Sequence, residues 1–242
     1  MSIKMNTNTP VKPSPEETGV SRAVLKRLLQ VVGQFLTIAV ILFVTAGRLD
    51  WGWAWAYLGL GLGIVILNAL ILSPELIAER GQPKENVKGW DRALTTLSIF
   101  PTLGMLIVAG LDERFGWSPP LAPAAQFMAL AVLALGQLLF SWAMAANKYF
   151  STLVRIQLER GHTVASGGPY RYVRHPGYAG YITFTLATPL ALGSWWGIIF
   201  AGLTACIFVI RTALEDRTLQ GELPGYKDYA QQVRYRLLPG VW

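Results

Sequence analysis

The chain is short of charge, since only 14% of its 242 residues are Asp, Glu, Lys or Arg. Soluble domains carry about a quarter charged residues, so this composition argues against an ordinary cytosolic enzyme and against a disordered chain. Cysteine is nearly absent, because Cys206 is the only one. One thiol permits neither an intramolecular disulfide nor a cysteine-based zinc site, and we predict no metal site. We expect Cys206, which lies in an apolar run, to be a small buried side chain.

Long apolar runs take the place of charge, and 52% of the residues are hydrophobic. A membrane-spanning helix needs about 20 mainly apolar residues. Six runs approach or exceed that length, and Gly193-Ser194 separates the last two, as in a tight helical hairpin. The six runs are 28–46, 51–72, 93–111, 124–146, 178–192 and 195–210. The pattern predicts an all-α, polytopic membrane bundle of about six transmembrane helices, the last two forming a helical hairpin.

The basic residues indicate how this bundle is oriented. Of 21 Lys and Arg, 19 lie in segments on one side of the six runs, and only Arg48 and Arg114 lie on the other. The positive-inside rule therefore predicts that both termini are cytoplasmic, and we expect the membrane to be a bacterial inner membrane. This topology accounts for the net charge of +7, so we predict no nucleic-acid partner. The expected partners are the lipid bilayer and a lipophilic small-molecule or lipid substrate, with the oligomeric state left open.

The same layout divides the chain into three regions. Residues 1–27 contain three prolines among polar residues and are expected to form a flexible cytoplasmic arm. Residues 28–146 are expected to form a four-helix transmembrane region. Residues 147–242 hold the chemistry-bearing segment, the helical hairpin and a C-terminal segment, in which tyrosines and leucines between charges predict a cytoplasmic amphipathic helix.

The segment 147–177 differs from a simple basic loop. It contains both histidines of the chain together with five Lys and Arg. A loop that only faces anionic lipid headgroups needs no histidine and no rigid turns. Here Gly167-Gly168-Pro169 and His175-Pro176-Gly177 restrict the backbone around an arginine and a histidine. This pattern favours a binding or catalytic role.

A second polar cluster follows the last apolar run. Glu215 lies one helical turn beyond Arg211, and Asp216 comes next. The pair Arg211 and Glu215 is typical of a surface ion pair. A carboxylate at this depth, facing a cationic loop, is also suited to hold an ammonium group.

Three motifs together resemble the isoprenylcysteine carboxyl methyltransferase and phospholipid methyltransferase superfamily. They are R-H-P-G-Y-A-G at 174–180, the acidic pair Glu215-Asp216, and the later Y-x-x-Y-x-x-x-V-x-Y-R-L-L-P-G. The resemblance extends over roughly residues 148–242 and implies an integral membrane methyltransferase that uses S-adenosylmethionine and releases S-adenosylhomocysteine. The family's acidic pair is usually Glu-Glu, so the shorter Asp216 leaves open whether this position contacts the cofactor.

The resemblance also implies roles for individual residues. Arg174 or Arg171 would guide a carboxylate substrate, and His175 would remove a proton from a thiol or amine substrate. Arg174, if buried, needs an anionic partner, either a ligand or Glu215. Glu215 would accept the ammonium group of the cofactor. Its carboxylate would bind His175, His162 or backbone N–H groups of the glycine-rich loop, and its adenine would lie against Tyr170, Tyr178 and Leu237. The candidate cofactor-binding residues are His162, Gly168, Tyr170, His175, Pro176, Tyr178, Gly180 and Glu215.

The methyl acceptor stays open at this point. The likeness to the isoprenylcysteine branch favours O-methylation of a lipophilic carboxylate, with N-methylation of a phospholipid amine and S-methylation of a small thiol as alternatives. A small transporter or channel would predict ionisable residues inside the six runs and an internal repeat, and both are missing. A lipid-binding scaffold would predict that the histidines and Glu215 are dispensable.

Overall fold

The computed structural model describes residues 15–82 and 86–242, with only the backbone given for residues 15–18 and 20. Eight α-helices and two short 3-10 turns form within these residues. The helices are α1 (Pro15–Ala46), α2 (Gly52–Ile71), α3 (Pro74–Gly81), α4 (Gly89–Phe115), α5 (Pro123–Ala145), α6 (Pro176–Ala191), α7 (Gly197–Glu222) and α8 (Tyr226–Gln232). Five of them, namely α1 from Ser21 onward, α2, α4, α5 and α7, are long and apolar enough to cross a membrane. The predicted all-α membrane bundle is confirmed.

The fifth predicted run corresponds to α6, which has only 16 residues. At 1.5 Å per residue it is about 24 Å long, less than the roughly 30 Å of a bilayer core. It nevertheless connects the two ends of the bundle, because Ser194, just after it, donates a 2.6 Å hydrogen bond to Asp112 near the end of α4. Gly193 makes the turn with a φ of +85°. Helices α6 and α7 therefore form the predicted hairpin.

The surface of the bundle is apolar, as a lipid-facing surface must be. Leu70, near the end of α2, is 79% exposed, and Phe100, near the middle of α4, is 70% exposed. Soluble monomers rarely expose such large apolar areas. Cys206 is exposed on α7 as well, so the expectation that it is buried is wrong. The apolar run around this thiol therefore belongs to the outer, lipid-facing surface of the bundle and not to a protein core.

Helix α1 begins earlier than the predicted span. It starts at Pro15 rather than at residue 28, while residues 1–14 of the predicted arm lie outside the described residues. Its first turns support α3: a Cβ added at Gly81 would lie 2.9 Å from the Cβ of Arg27. Ser73 caps α3 by accepting the backbone N–H of Leu76. The short helix α3 is thereby fixed beside the first span.

The C-terminal helix α8 faces the protein interior. It is only seven residues long, and its Tyr226 and Tyr229 are buried against Tyr170 and Leu223. The predicted amphipathic helix exists, but its aromatic side chains pack under the segment 147–177 instead of lying on a membrane surface. The segments around the R-H-P motif therefore share one small core with the end of the chain.

Candidate active site

A cavity of about 660 Å³ lies where the basic side chains of the bundle collect, at the end that contains Lys88, Arg155 and α8. We call this the basic end. The cavity is lined by residues of α1, α4, α6, α7, α8 and the segment 147–175. Its volume lies within the range of about 300–1,000 Å³ that is usual for small-molecule sites. Helices α1 and α4 contribute apolar side chains such as Ile38 and Leu103 together with hydroxyl side chains, and the segment 147–175 with α7 contributes His162, His175 and Glu215.

Buried ion pairs hold the loop around this cavity. Asp91 at the start of α4 is fully buried and binds the guanidinium of Arg211 at 2.6 Å. The same carboxylate accepts the backbone N–H of Val154 at 2.7 Å, and Arg211 donates to the carbonyl of Thr152 at 2.9 Å. Arg211 is therefore paired across the bundle with Asp91, instead of forming the surface pair with Glu215 that its spacing suggested.

Asp216 is the centre of a second buried network. Its side chain is fully buried, and its two oxygens bind the guanidinium of Arg174 at 2.7 and 2.9 Å. Arg236 donates to the same carboxylate at 2.9 Å, and the Tyr226 hydroxyl donates at 3.2 Å. Four parts of the chain meet at this carboxylate, namely α7, the R-H-P motif, α8 and the C-terminal segment. Asp216 thus has a structural set of partners that accounts for its complete burial.

Arg174 is held from both sides. Beyond Asp216, its Nη1 donates to the carbonyl groups of Val233 and Arg234, each at 2.8 Å. Burial lowers its pKa, but the hydrogen bond and the charge of Asp216 outweigh burial and raise the pKa of Arg174. The predicted anionic partner, a ligand or Glu215, is therefore corrected to Asp216. With its donors engaged by protein, Arg174 positions the motif.

His175 connects this network to the cavity. Its Nε2 lies 3.2 Å from Asp216 Oδ1 and 3.3 Å from the Tyr226 hydroxyl, and its ring stacks on that of Tyr178 at 5.9 Å between centroids. Burial, followed by the negative charges of Asp216 and Glu215, raises the pKa of Tyr226, so its hydroxyl remains a donor. With a proton on Nε2, His175 donates to Asp216 and keeps Nδ1 as an acceptor.

Glu215 is the carboxylate that faces the cavity. The Tyr178 hydroxyl donates a short hydrogen bond to its Oε2, and the Arg211 guanidinium lies 5.1 Å from the Tyr178 ring centroid. Among the described residues no side chain or backbone group is bonded to Glu215 Oε1. Adjacent positions on a helix point about 100° apart, which explains why Glu215 lines the cavity while Asp216 does not.

His162 lies on the other wall of the cavity. Its Nδ1 accepts the backbone N–H of Gln157 at 3.3 Å, and its ring packs on Tyr149 at 4.5 Å between centroids. Burial and then the positive charges of Arg160 and Arg155 lower the pKa of His162. The ring is consequently neutral near pH 7 and offers a polar edge without a charge.

The structure brings six of the predicted site residues to this cavity, and three lie elsewhere. Those that line it are His162, Tyr170, Arg174, His175, Tyr178 and Glu215. Gly168 has a φ of +56° and packs on α5, where an added Cβ would lie 2.8 Å from that of Ala146. Pro176 is buried at the first position of α6, where its fixed φ suits a helix start. Sequence reasoning missed Tyr226 and Tyr229 as lining residues, because their spacing indicated only an amphipathic helix.

Gly180 serves the contact between α5 and α6. An added Cβ would lie 2.6 Å from the carbonyl oxygen of Gly136 and 2.7 Å from the backbone nitrogen of Phe140. Backbone atoms of a helix cannot move aside, so only glycine allows this approach. The residue predicted to bind cofactor therefore has a packing role in this fold.

Gly180→Ala is expected to lower the free energy of unfolding by about 1–3 kcal/mol, the usual cost of overpacking. The measurement is thermal unfolding of detergent-purified protein, followed by tryptophan fluorescence. Gly202→Ala on α7 is the matched control, since in the described part of the chain nothing lies within 4 Å of its added Cβ. An unchanged unfolding midpoint for Gly180→Ala would contradict the packing role.

This part of the chain is similar to a known protein family. Residues 128–221 match the model of the isoprenylcysteine carboxyl methyltransferase (ICMT) family, which confirms the resemblance predicted from the motifs. The matched stretch contains most of α5, the cavity loop, α6 and nearly all of α7. The R-H-P motif and the acidic pair both lie within it.

Curated relatives are similar over comparable stretches. A protein-S-isoprenylcysteine O-methyltransferase of Schizosaccharomyces pombe is 32% identical over 118 residues, which are 48% of this chain and 49% of the relative. A protein of the same name in Dictyostelium discoideum and the protein-S-isoprenylcysteine O-methyltransferase B of Arabidopsis thaliana are each 30% identical, over 45% and 43% of this chain and 47% and 54% of their own lengths. The chain spans about half the length of the curated relatives it matches.

Proposed function

We propose that this protein is an integral membrane methyltransferase that moves a methyl group from S-adenosylmethionine to a lipophilic acceptor, by O-methylation of a carboxylate. The observation that carries the proposal is one cavity lined both by charged and aromatic residues of the family motif and by apolar side chains of the membrane-spanning helices, such as Ile38 and Leu103. A polar cofactor and a lipophilic acceptor can meet in a cavity with both kinds of wall. The names of the matched relatives support the same chemistry.

The charged and aromatic residues of this cavity fit S-adenosylmethionine. The open oxygen of Glu215 suits its ammonium group, because a half-buried carboxylate is stabilised by an opposite charge. His162 and His175 offer polar edges for its carboxylate, and Tyr170 and Tyr178 offer aromatic walls for adenine. When bound, S-adenosylmethionine supplies an electrophilic methyl group together with a neutral thioether leaving group.

The protein's own contribution is alignment and exclusion of water. Arg174 and Asp216 fix the R-H-P motif to the C-terminal segment, and Asp91 with Arg211 fixes the preceding loop to α4 and α7. A carboxylate acceptor is already ionised at neutral pH, so no side chain has to act as a base. We therefore assign Arg174 a positioning role, and we assign His175 to the binding of the cofactor carboxylate and the orientation of Tyr178 and Tyr226, not to proton removal.

We further propose that the basic end faces the cytoplasm of a bacterial cell, with both termini on that side of the inner membrane. The concentration of Arg27, Lys88 and Arg155 at one end supports this orientation, since Arg48, just after α1, and Arg114, in the last turn of α4, lie at the opposite end. Residues 147–242 would then form the cofactor-binding core. The polar cofactor enters from the cytoplasm, and the lipophilic acceptor enters from the bilayer.

The proposal is tested by calorimetric titration of S-adenosylmethionine and S-adenosylhomocysteine into detergent-purified, lipid-supplemented protein. We expect saturable binding of both, with His175→Ala weakening it by about tenfold (about 1.4 kcal/mol). Adenosine alone should bind more weakly, because it lacks the groups that Glu215 and the histidines recognise. A sample that unfolds cooperatively but binds neither compound would refute the proposed function.

A further inference from the structure

A second cavity, of about 320 Å³, adjoins the first. It lies between α1, α2, α3 and α5, and most of its wall is aliphatic or aromatic, as at Phe35, Ile64 and Val65. The two cavities share lining residues, which are Arg27, Gln34, Ile38, Arg80 and Phe140. These shared residues, which we call the throat, lie between the apolar second cavity and the cavity that contains the family motif.

Two arginines occupy the throat, and both come from the part of the chain that the family match does not cover. Arg80, at the end of α3, has a buried Nη1 with no hydrogen-bond partner among the described residues. Its guanidinium lies 5.4 Å from the centroid of the Phe150 ring. A guanidinium with an unused donor in an apolar surrounding is costly unless an anion binds to it.

The neighbouring groups compensate the charge of Arg80 only in part. Arg27 adds a second positive charge, and its described contact is a 3.5 Å hydrogen bond to the neutral Gln30. Glu79 beside Arg80 binds Arg155 at 3.2 Å, and its favourable effect on the Arg80 charge is smaller than the unfavourable effects of burial and of Arg27. Burial and then repulsion by Arg27 lower the pKa of Arg80 to about 10, which still leaves it charged at pH 7. The throat therefore carries positive charge that a bound anion would compensate.

The throat also adjoins the family motif. Phe150, over which Arg80 lies, packs against Gly177, because a Cβ added at Gly177 would lie 2.7 Å from its ring. Gly177 sits between His175 and Tyr178 on the motif. A negative group bound by Arg80 would thus lie close to the motif, while an attached apolar chain could extend into the second cavity.

We propose that Arg80, supported by Arg27, binds the carboxylate of the methyl acceptor where the two cavities meet, and that the acceptor's apolar chain extends into the second cavity, between α1, α2, α3 and α5. This inference rests on the proposed function and adds to it an anchoring residue outside the family motif. The chemical class that fits is a lipophilic chain of low polarity ending in a single carboxylate. A phospholipid phosphate shares the anionic chemistry, and the experiment separates the two.

The test uses N-acetyl-S-farnesylcysteine as a carboxylate probe and its carboxamide as a neutral match, titrated into protein saturated with S-adenosylhomocysteine. We expect the acid to bind wild type at least tenfold more tightly than the amide. Arg80→Met should weaken binding of the acid at least tenfold and leave the amide and S-adenosylhomocysteine within twofold of wild type. Arg80→Lys keeps the positive charge but loses the planar guanidinium, so its affinity for the acid should lie between those of wild type and Arg80→Met. Arg92→Met, at an exposed arginine early in α4, is the matched control.

Each outcome decides the inference separately from the proposed function. Binding of S-adenosylhomocysteine with unchanged acid affinity in Arg80→Met, or equal binding of acid and amide by wild type, overturns the Arg80 site alone. If Arg80→Met does not fold, the same comparison with Arg80→Lys decides. Wild type and Arg80→Met are also compared in nanodiscs for preferential binding of phosphatidylglycerol over phosphatidylcholine. If Arg80→Met loses that preference while its affinity for the acid is unchanged, the throat binds lipid phosphate, and the inference is overturned. Failure of wild type to bind S-adenosylhomocysteine refutes the proposed function instead.

Discussion

Asp216→Ala is expected to lower the free energy of unfolding by about 3–5 kcal/mol, the cost of leaving a buried charge without its partner. The substitution strands the Arg174 guanidinium, whose side chain is 5% exposed, and removes the acceptor for Arg236 and Tyr226. In a chain of this size that loss corresponds to a fall of the unfolding midpoint by about 10 °C. Thermal unfolding in detergent, followed by tryptophan fluorescence, measures it.

A second readout locates the damage. Asp216 ties the C-terminal segment to α7, so limited proteolysis should cut Asp216→Ala after α8 under conditions that leave wild type intact. Asp228→Ala, at an exposed acidic residue on α8, is the matched control and should behave as wild type. An unfolding midpoint within about 3 °C of wild type would show that the buried network contributes little.

Asp216→Glu addresses the departure from the usual Glu-Glu pair. The carboxylate is fully buried, so one more methylene has to displace Arg174 or Tyr226. We expect a loss smaller than that of the alanine variant, since charge is kept and only packing is disturbed. The shorter acidic residue is thus explained by the space available at this position.

The helical bundle and its basic end were predictable because hydropathy and charge are local properties of the chain. Six apolar runs became five long helices and the short α6, and their order predicted which polar segments share one end. The cavity loop was also predictable, because two histidines and two rigid turns within a short basic segment have no use in a simple loop. These features need no knowledge of tertiary contacts.

The ion pairs were not predictable, because each joins distant positions. Arg174 and Asp216 are 42 positions apart, and Asp91 and Arg211 are 120 apart. Sequence spacing favoured the local pair Arg211 and Glu215, while the fold gave Arg211 a fully buried carboxylate on another helix. Arg80 carried no motif at all, and only the shape of the throat distinguishes it from the other basic residues near the membrane surface.

The contacts of glycine residues were not predictable from the sequence for the same reason. Gly180 belongs to a motif that suggested close approach to a cofactor, and the close approach is real, but its partner is the backbone of α5. A sequence can indicate that a position requires glycine without indicating which neighbour requires it. The correction follows from helix packing.

Glu215→Ala is expected to weaken binding of S-adenosylhomocysteine by more than tenfold (about 1.4 kcal/mol) while leaving the unfolding midpoint nearly unchanged. Glu215 is half-buried, and its Oε1 is bonded to no other described residue, so its removal strands one hydroxyl, that of Tyr178. Calorimetric titration of wild type and variant measures the affinity. Glu215→Gln, which keeps the shape and a hydrogen-bond acceptor but loses the charge, should lose most of the same affinity.

A ligand-side comparison shows whether the lost contact is the one proposed. An S-adenosylhomocysteine analogue without the α-amino group has no ammonium for Glu215 to bind, so wild type and Glu215→Ala should bind it with similar affinity. Tyr178→Phe should weaken S-adenosylhomocysteine less than Glu215→Ala does, because it loosens the carboxylate without removing its charge. If Glu215→Ala prefers S-adenosylhomocysteine over the analogue as strongly as wild type does, the ammonium group binds elsewhere in the cavity. If instead the preference for the amine is lost in Glu215→Ala, Glu215 binds the ammonium group. Two adjacent acidic residues on one helix would then have different roles because they point in different directions: Asp216 stabilises the fold, and Glu215 binds the cofactor.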